Sequence, residues 1–118
     1  MILKLNQRSE KELIATAERY MDALMQASTE KDYKSHIQHF SKRLKQLLDE
    51  HRFDSVVAQY QQEKGYFKDR IFIASFMREH SFAVVWRQTF TQAVGDYVAE
   101  IVLIEEDGQL VVDHVMVF

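Results

Sequence analysis

The sequence predicts an α+β fold, with three N-terminal helices packed on one face of a four-stranded antiparallel meander sheet, and three observations carry that prediction. As far as Gly65, apolar residues recur at three- and four-residue steps. Beyond Gly65 the period drops to two, and β-branched and aromatic side chains become dense. The punctuation changes at the same point, from helix-capping side chains to short turn sequences.

Ser9-Glu10-Lys11-Glu12 has the form of a capping box, in which a hydroxyl and a carboxylate answer the free amides of a helix start. Leu13, Ile14, Ala17, Met21, Leu24 and Met25 then form one apolar stripe, the core side of a first helix. Thr29-Glu30-Lys31-Asp32 repeats the cap, and Tyr33, Ile37, Phe40, Leu44, Leu47 and Leu48 continue as a second helix. Asp49 caps a third, with Phe53, Val56, Val57 and Tyr60 on its apolar side and Gly65 as its stop; the break at Asp49 also allows helices two and three to be one.

Strands are expected near 69–78, 82–92, 96–105 and 109–118, joined at His80-Ser81, Ala93-Val94-Gly95 and Asp107-Gly108. Asp-Gly tolerates the positive φ angles of a type I′ hairpin, and connections this short force antiparallel neighbours. The register that best separates polar from apolar side chains sets Trp86 beside Ile101 and His114, Val84 beside Leu103 and Val112, and Phe90 beside Tyr97 and Phe118. Phe72, Ala74 and Phe76 join that inner face, which the helices should cover.

The opposite face then carries Val85, Arg87, Val98, Glu100, Val102, Val115 and Val117, with Arg87 opposite Glu100 as a cross-strand pair. Contiguous valines on an open sheet face mark a partner surface, so these residues are expected to form a homodimer interface; scattered surface valine on a monomer is the plainer alternative.

At 118 residues with 47% apolar and 28% charged side chains, the composition is that of one globular domain spanning 1–118, and disordered and membrane classes do not fit it. With no cysteine, the chain offers no disulfide, thiolate metal site or cysteine nucleophile. A net charge of −3 argues against nucleic-acid binding by phosphate neutralisation. Residues 31–52 are nonetheless basic and residues 96–118 acidic, which reads as a solvated helix face near an acidic sheet edge, or as a docking surface for an acidic partner. The opening Met1-Ile2-Leu3-Lys4-Leu5-Asn6-Gln7 lacks the apolar core of a signal peptide, and no run approaches the roughly 18 apolar residues of a membrane span. A cytoplasmic protein is expected, the alternative being an exported domain whose leader has been removed.

Helices first, Gly65-Tyr66-Phe67 as the joint and a terminal meander through Glu106-Asp107-Gly108-Gln109-Leu110-Val111-Val112-Asp113 together resemble the nuclear transport factor 2-like superfamily of cystatin-like α+β cones. The likeness is closest to small uncharacterised bacterial members and covers the chain from Ser9 onward. It implies a pocket between helices and curved sheet and frequent dimers, with functions ranging from ketosteroid-isomerase-like and polyketide-cyclase enzymes to noncatalytic binding modules. It does not choose among them. No catalytic motif of those enzymes matches this sequence residue by residue.

His114 and Gln88 are the polar side chains of the expected inner face, beside Trp86 and Tyr97, while Tyr20 and Tyr60 bring hydroxyls from the helices. These six are the candidate pocket residues for a small apolar ligand, His114 being the one imidazole among them and the acid or base of the enzymatic alternative. The bland alternative is that they satisfy one another inside a filled core. His36 and His39 with Asp32 could offer metal ligands, but a polar helix face explains the spacing better. No phosphate loop or serine elbow occurs, so no cofactor is expected and the reading favours a noncatalytic binding module.

Overall fold

Ser9 accepts a hydrogen bond from the Glu12 amide and starts α1 (Glu10–Thr29), whose Leu13, Ala17, Met21 and Leu24 are buried as the stripe predicts. The computed structural model describes residues 4–118, so the first three residues of the segment examined for a leader lie outside it. A 3₁₀ turn at Leu5–Gln7 precedes α1 and buries Leu5.

The expected second helix is two short ones, α2 (Tyr33–His36) and α3 (Lys42–Leu47). Thr29 does not cap it: its hydroxyl donates back to the Met25 carbonyl, α1 runs on through it, and Lys31 turns the chain at φ 59. Asp32 caps α2 instead, accepting from the Ser35 amide. The interruption at 37–41 has a tertiary cause. Phe40 forms a parallel bridge to Val112, and backbone hydrogen bonds join Ser41 N–H to Val112 C=O (2.8 Å) and Val112 N–H to His39 C=O (2.7 Å). Backbone spent on a sheet edge cannot also close helical turns. Asp49 caps α4 (Glu50–Lys64) as expected, and Gly65 stops it.

The strands β1 (Phe67–Met77), β2 (Phe82–Phe90), β3 (Tyr97–Glu106) and β4 (Gln109–Val117) form one antiparallel sheet in chain order. The β3–β4 hairpin turns on Asp107 and Gly108, both at positive φ (52° and 79°), as Asp-Gly predicts. Its first half has the expected register, with Leu103 opposite Val112.

Three details of register depart from expectation. In β2–β3, Trp86 faces Ala99 and Val84 faces Ile101, a two-residue slip that leaves every face unchanged. It arises because the end of β2 is claimed by the helix joint: the Thr91 amide bonds the Tyr66 carbonyl, and those of Gln92 and Ala93 bond the Lys64 carbonyl. In β1 a bulge at Ile73 turns Ala74 and Phe76 to the outer face, opposite Val85 and Ala83, while Phe72 stays opposite Trp86. In β4 a bulge at Asp113 reverses everything after it. His114 faces Val102 and Met116 faces Glu100 on the outer side, and Val115 and Val117 pack on the core. Asp113 leaves the ladder's alternation because its carboxylate is taken by α3, accepting from Ser41 Oγ (2.7 Å) and Arg43 Nε (3.0 Å).

The basic segment meets the acidic one within the chain. Lys42 Nζ lies 3.1 Å from Asp107, and the Lys42 amide donates to Glu106. Of the six Lys and Arg residues between 31 and 52, Lys42 and Arg43 are engaged in this way, Arg43 with Asp113. The core lies between α1 and the inner sheet face, where Leu13, Met21, Phe82, Trp86, Ile101 and Leu103 are all fully buried.

Candidate functional site

α1 covers one half of the sheet; over the other half, α3 is tied to β4 at its start and α4 stands away from the strands, leaving a cavity of about 710 Å³. Its apolar walls come from Leu44 and Leu48, from Phe53 and Val57 of α4, and from Phe67, Phe90, Val115 and Val117 of the sheet. The size falls inside the usual range for small-molecule sites, about 300–1,000 Å³. The β4 bulge contributes directly, because it is what turns Val115 and Val117 to this side.

Polar groups reach the walls at few places. Ser28 Oγ and Tyr60 OH lie 2.7 Å apart in one hydrogen bond, and Tyr60 packs against the rings of Phe67 and Phe90. Lys64 lies over the rings of Tyr97 and Phe90, and Arg52 lines the cavity further along α4. His36 sits between Phe40 and Phe53, with Nδ1 3.1 Å from the Leu24 carbonyl. A carbonyl can only accept, so Nδ1 carries the proton and Nε2 is the acceptor nitrogen of a neutral ring.

Burial pushes the His36 pKa below its ordinary value, and the hydrogen bond to Leu24 offsets this only in part. The unfolded chain therefore takes up this proton first as pH falls. Stability from this residue is complete above the ordinary histidine pKa of about 6.5 and declines as pH drops below it. Urea unfolding at a series of pH values should show that decline in the native protein and a shallower one in His36→Gln, which keeps a donor for Leu24. Equal slopes in the two proteins would remove His36 as the cause.

Of the six residues expected around a pocket, two line this cavity. Tyr60 is part of its wall, and His114 stands at its β4 rim, where Nε2 is 3.3 Å from Glu100 on the outer face. Tyr20 instead donates to the Leu110 carbonyl (2.7 Å) and stacks on His39. Trp86 is core, its Nε1 donating to Glu18, with Arg70 over the ring and bridging Glu18 and Asp22. Gln88 is fully buried and donates to the Thr89 carbonyl, and Tyr97 meets Phe90 edge-on. His36, Leu44, Leu48 and Lys64 were not expected here. The apolar spacing of Phe53, Val57 and Tyr60 was visible as a helix stripe, but nothing in it distinguishes a stripe over a cavity from one over a filled core.

The outer sheet face is apolar across all four strands. Ile71, Phe76, Met116 and Phe118 each leave about half their surface exposed, with Val85, Val98, Val102, Ile104 and Val111 between them. Val115 and Val117, expected on this face, belong to the inner one, with Met116 and Phe118 in their place. Arg87 pairs with Asp96 (3.6 Å) rather than with Glu100, which His114 occupies.

No protein-family model matches the sequence, and no curated protein matches it. Among solved structures, the chain is similar to a SEC-C motif containing protein from Rhodopseudomonas palustris, with TM-score 0.59 and 14% identity over 82% of this chain and 74% of that one. It is also similar to an NTF-2 like protein of unknown function from Shewanella oneidensis, with TM-score 0.50 and 13% identity over 86% and 94%. A protein from Bdellovibrio bacteriovorus gives TM-score 0.53 and 13% identity over 92% of this chain but 42% of that longer one. At such identities the likeness is one of fold alone, helices laid on an antiparallel sheet.

Proposed function

We propose that this chain forms a single noncatalytic binding domain of the nuclear transport factor 2-like type, which holds a small apolar ligand and pairs as a homodimer through its outer sheet face. The observation that carries the binding reading is the cavity itself. Leucine, valine and phenylalanine side chains form its walls, and its polar groups are few. Burying an apolar ligand against such walls is favourable by roughly 25 cal/mol per Å² removed from water. His114 does not support the isomerase or cyclase alternative, because its ring is engaged by Glu100 on the outer side of the sheet.

The dimer rests on the outer face. Arg87 is paired with Asp96, and Glu100 has the His114 ring as a partner at 3.3 Å, so neither charge of this face is without a polar partner. Its apolar part runs across all four strands, and a contiguous apolar face of this kind marks a partner surface. A two-fold axis would bring this patch against its own copy.

Native mass spectrometry of freshly purified protein tests both parts. The expected result is twice the chain mass, with additional mass from a retained ligand that is lost on denaturation. Val102→Asp, which places a charge at the centre of the outer face, should give the mass of one chain with an unchanged circular dichroism spectrum. A native protein that remains monomeric at tens of micromolar overturns the dimer.

No helix among the described residues is long and apolar enough to cross a membrane.

A further inference from the structure

The cavity's polar groups are unevenly placed, and that points to the chemistry of its occupant. α4 runs along the cavity from Arg52 to Lys64, a distance of about 18 Å at helical rise. Arg52 and Lys64 are the Lys and Arg side chains on its walls, and neither has a carboxylate partner among the described residues. Lys64 is steadied by aromatic faces, its Nζ lying 5.2 Å from the centre of the Tyr97 ring and 5.8 Å from that of Phe90. Ring faces fix an ammonium without using its N–H donors in conventional hydrogen bonds.

Tyr60 lies one turn before Lys64 on the same helix face. Its hydroxyl and that of Ser28 carry two protons and share one hydrogen bond, and neither has another hydrogen-bond partner among the described residues. One hydroxyl proton is thus left to donate to whatever fills the cavity. Glu63 is the single carboxylate side chain on the walls, and it accepts from Gln59. Toward the opposite end the rim is apolar, with Leu47 57% and Val56 50% exposed. Arg52 stands among these apolar rim residues, so only the Lys64 end joins a cation to a spare hydroxyl donor.

We propose that it binds a linear aliphatic carboxylate. The acid group sits at Lys64 and the Tyr60–Ser28 hydroxyl pair, and the chain runs along Val57, Phe53 and Leu48 toward the rim at Val56 and Leu47. A carboxylate accepts from the ammonium and from the spare hydroxyl at once, through charge-assisted hydrogen bonds that a neutral head group cannot equal. The assignment rests on the reading of the cavity as a binding pocket and adds the class of ligand to it.

Isothermal titration calorimetry with laurate, lauryl alcohol and dodecyltrimethylammonium separates the two ideas, since the three share a chain and differ in head group. Laurate should bind the native protein at least about tenfold more tightly than the alcohol, with the cationic amphiphile weakest. Lys64→Met should abolish the preference for laurate over alcohol by weakening laurate much more than the alcohol, and Lys64→Arg should retain it. Tyr60→Phe should weaken laurate a few-fold. If laurate and lauryl alcohol bind equally, or Lys64→Met binds laurate as the native protein does, the carboxylate assignment is wrong and the apolar pocket stands. If none of the three binds, the pocket reading fails with it.

Discussion

Replacing Trp86 with alanine is expected to lower the free energy of unfolding by about 3–5 kcal/mol, a large part of the roughly 5–15 kcal/mol that holds a domain together. The indole is fully buried on the inner face of β2, beneath α1. Its loss removes the largest of the buried side chains and leaves a void that a close-packed core refills only in part. The indole N–H also donates to Glu18, which in turn holds Arg70, and the Arg70 guanidinium lies 5.2 Å from the centre of the Trp86 ring. Truncation therefore takes the ring face from a mostly buried cation and the donor from its carboxylate partner. Trp86→Phe keeps most of the packing and loses the donor, so it should cost less, about 1–3 kcal/mol. Urea titrations followed by circular dichroism measure both. A loss below about 2 kcal/mol for the alanine variant would mean that the inner face is less tightly packed than the structure shows.

Gly65→Ala is the second severe change, and its effect should come from backbone geometry rather than from lost contacts. Gly65 ends α4 at φ 85° and ψ −137°, a conformation that residues with a Cβ rarely adopt. A Cβ there would collide with Thr91 Oγ1 and come within 2.9 Å of Gln92 Cγ. The Thr91 hydroxyl and the backbone of Gln92 are both held. Thr91 Oγ1 accepts from the Tyr66 amide, and the Gln92 amide is bound to the Lys64 carbonyl. Strain and clash together should cost about 2–4 kcal/mol. Gly95→Ala separates the two causes, because Gly95 also has a positive φ, 106°, yet nothing lies within 4 Å of its added Cβ. Thermal unfolding should rank the Gly65 variant clearly below the Gly95 variant. Equal melting temperatures would assign the whole effect to φ and none to the crowded joint.

Much of this fold was legible locally. The Leu13-to-Met25 stripe, the caps at Ser9 and Asp49, the stop at Gly65 and the Asp107-Gly108 hairpin all work within one or two helical turns or one turn of chain. The candidate site was much less so. Tyr60 was identified among its residues, but the site also needs His36, Leu44, Leu48 and Lys64, which are brought together by the packing of separate elements.

What the sequence determined by itself was the kind of each element and the face that α1, β2 and β3 bury, because periodicity and capping are properties of neighbouring residues. Tertiary structure decided where alternation breaks and which strand residues meet. Asp113 bulges out of β4 because Ser41 and Arg43 reach it from α3, and α3 is separate from α2 because Phe40 bridges to β4. Those two contacts link residues about seventy positions apart, and they send His114 outward and Val115 and Val117 into the cavity. A one-residue bulge costs little locally and reverses every side chain beyond it, so its position follows from the partner across the fold and not from the strand's own pattern.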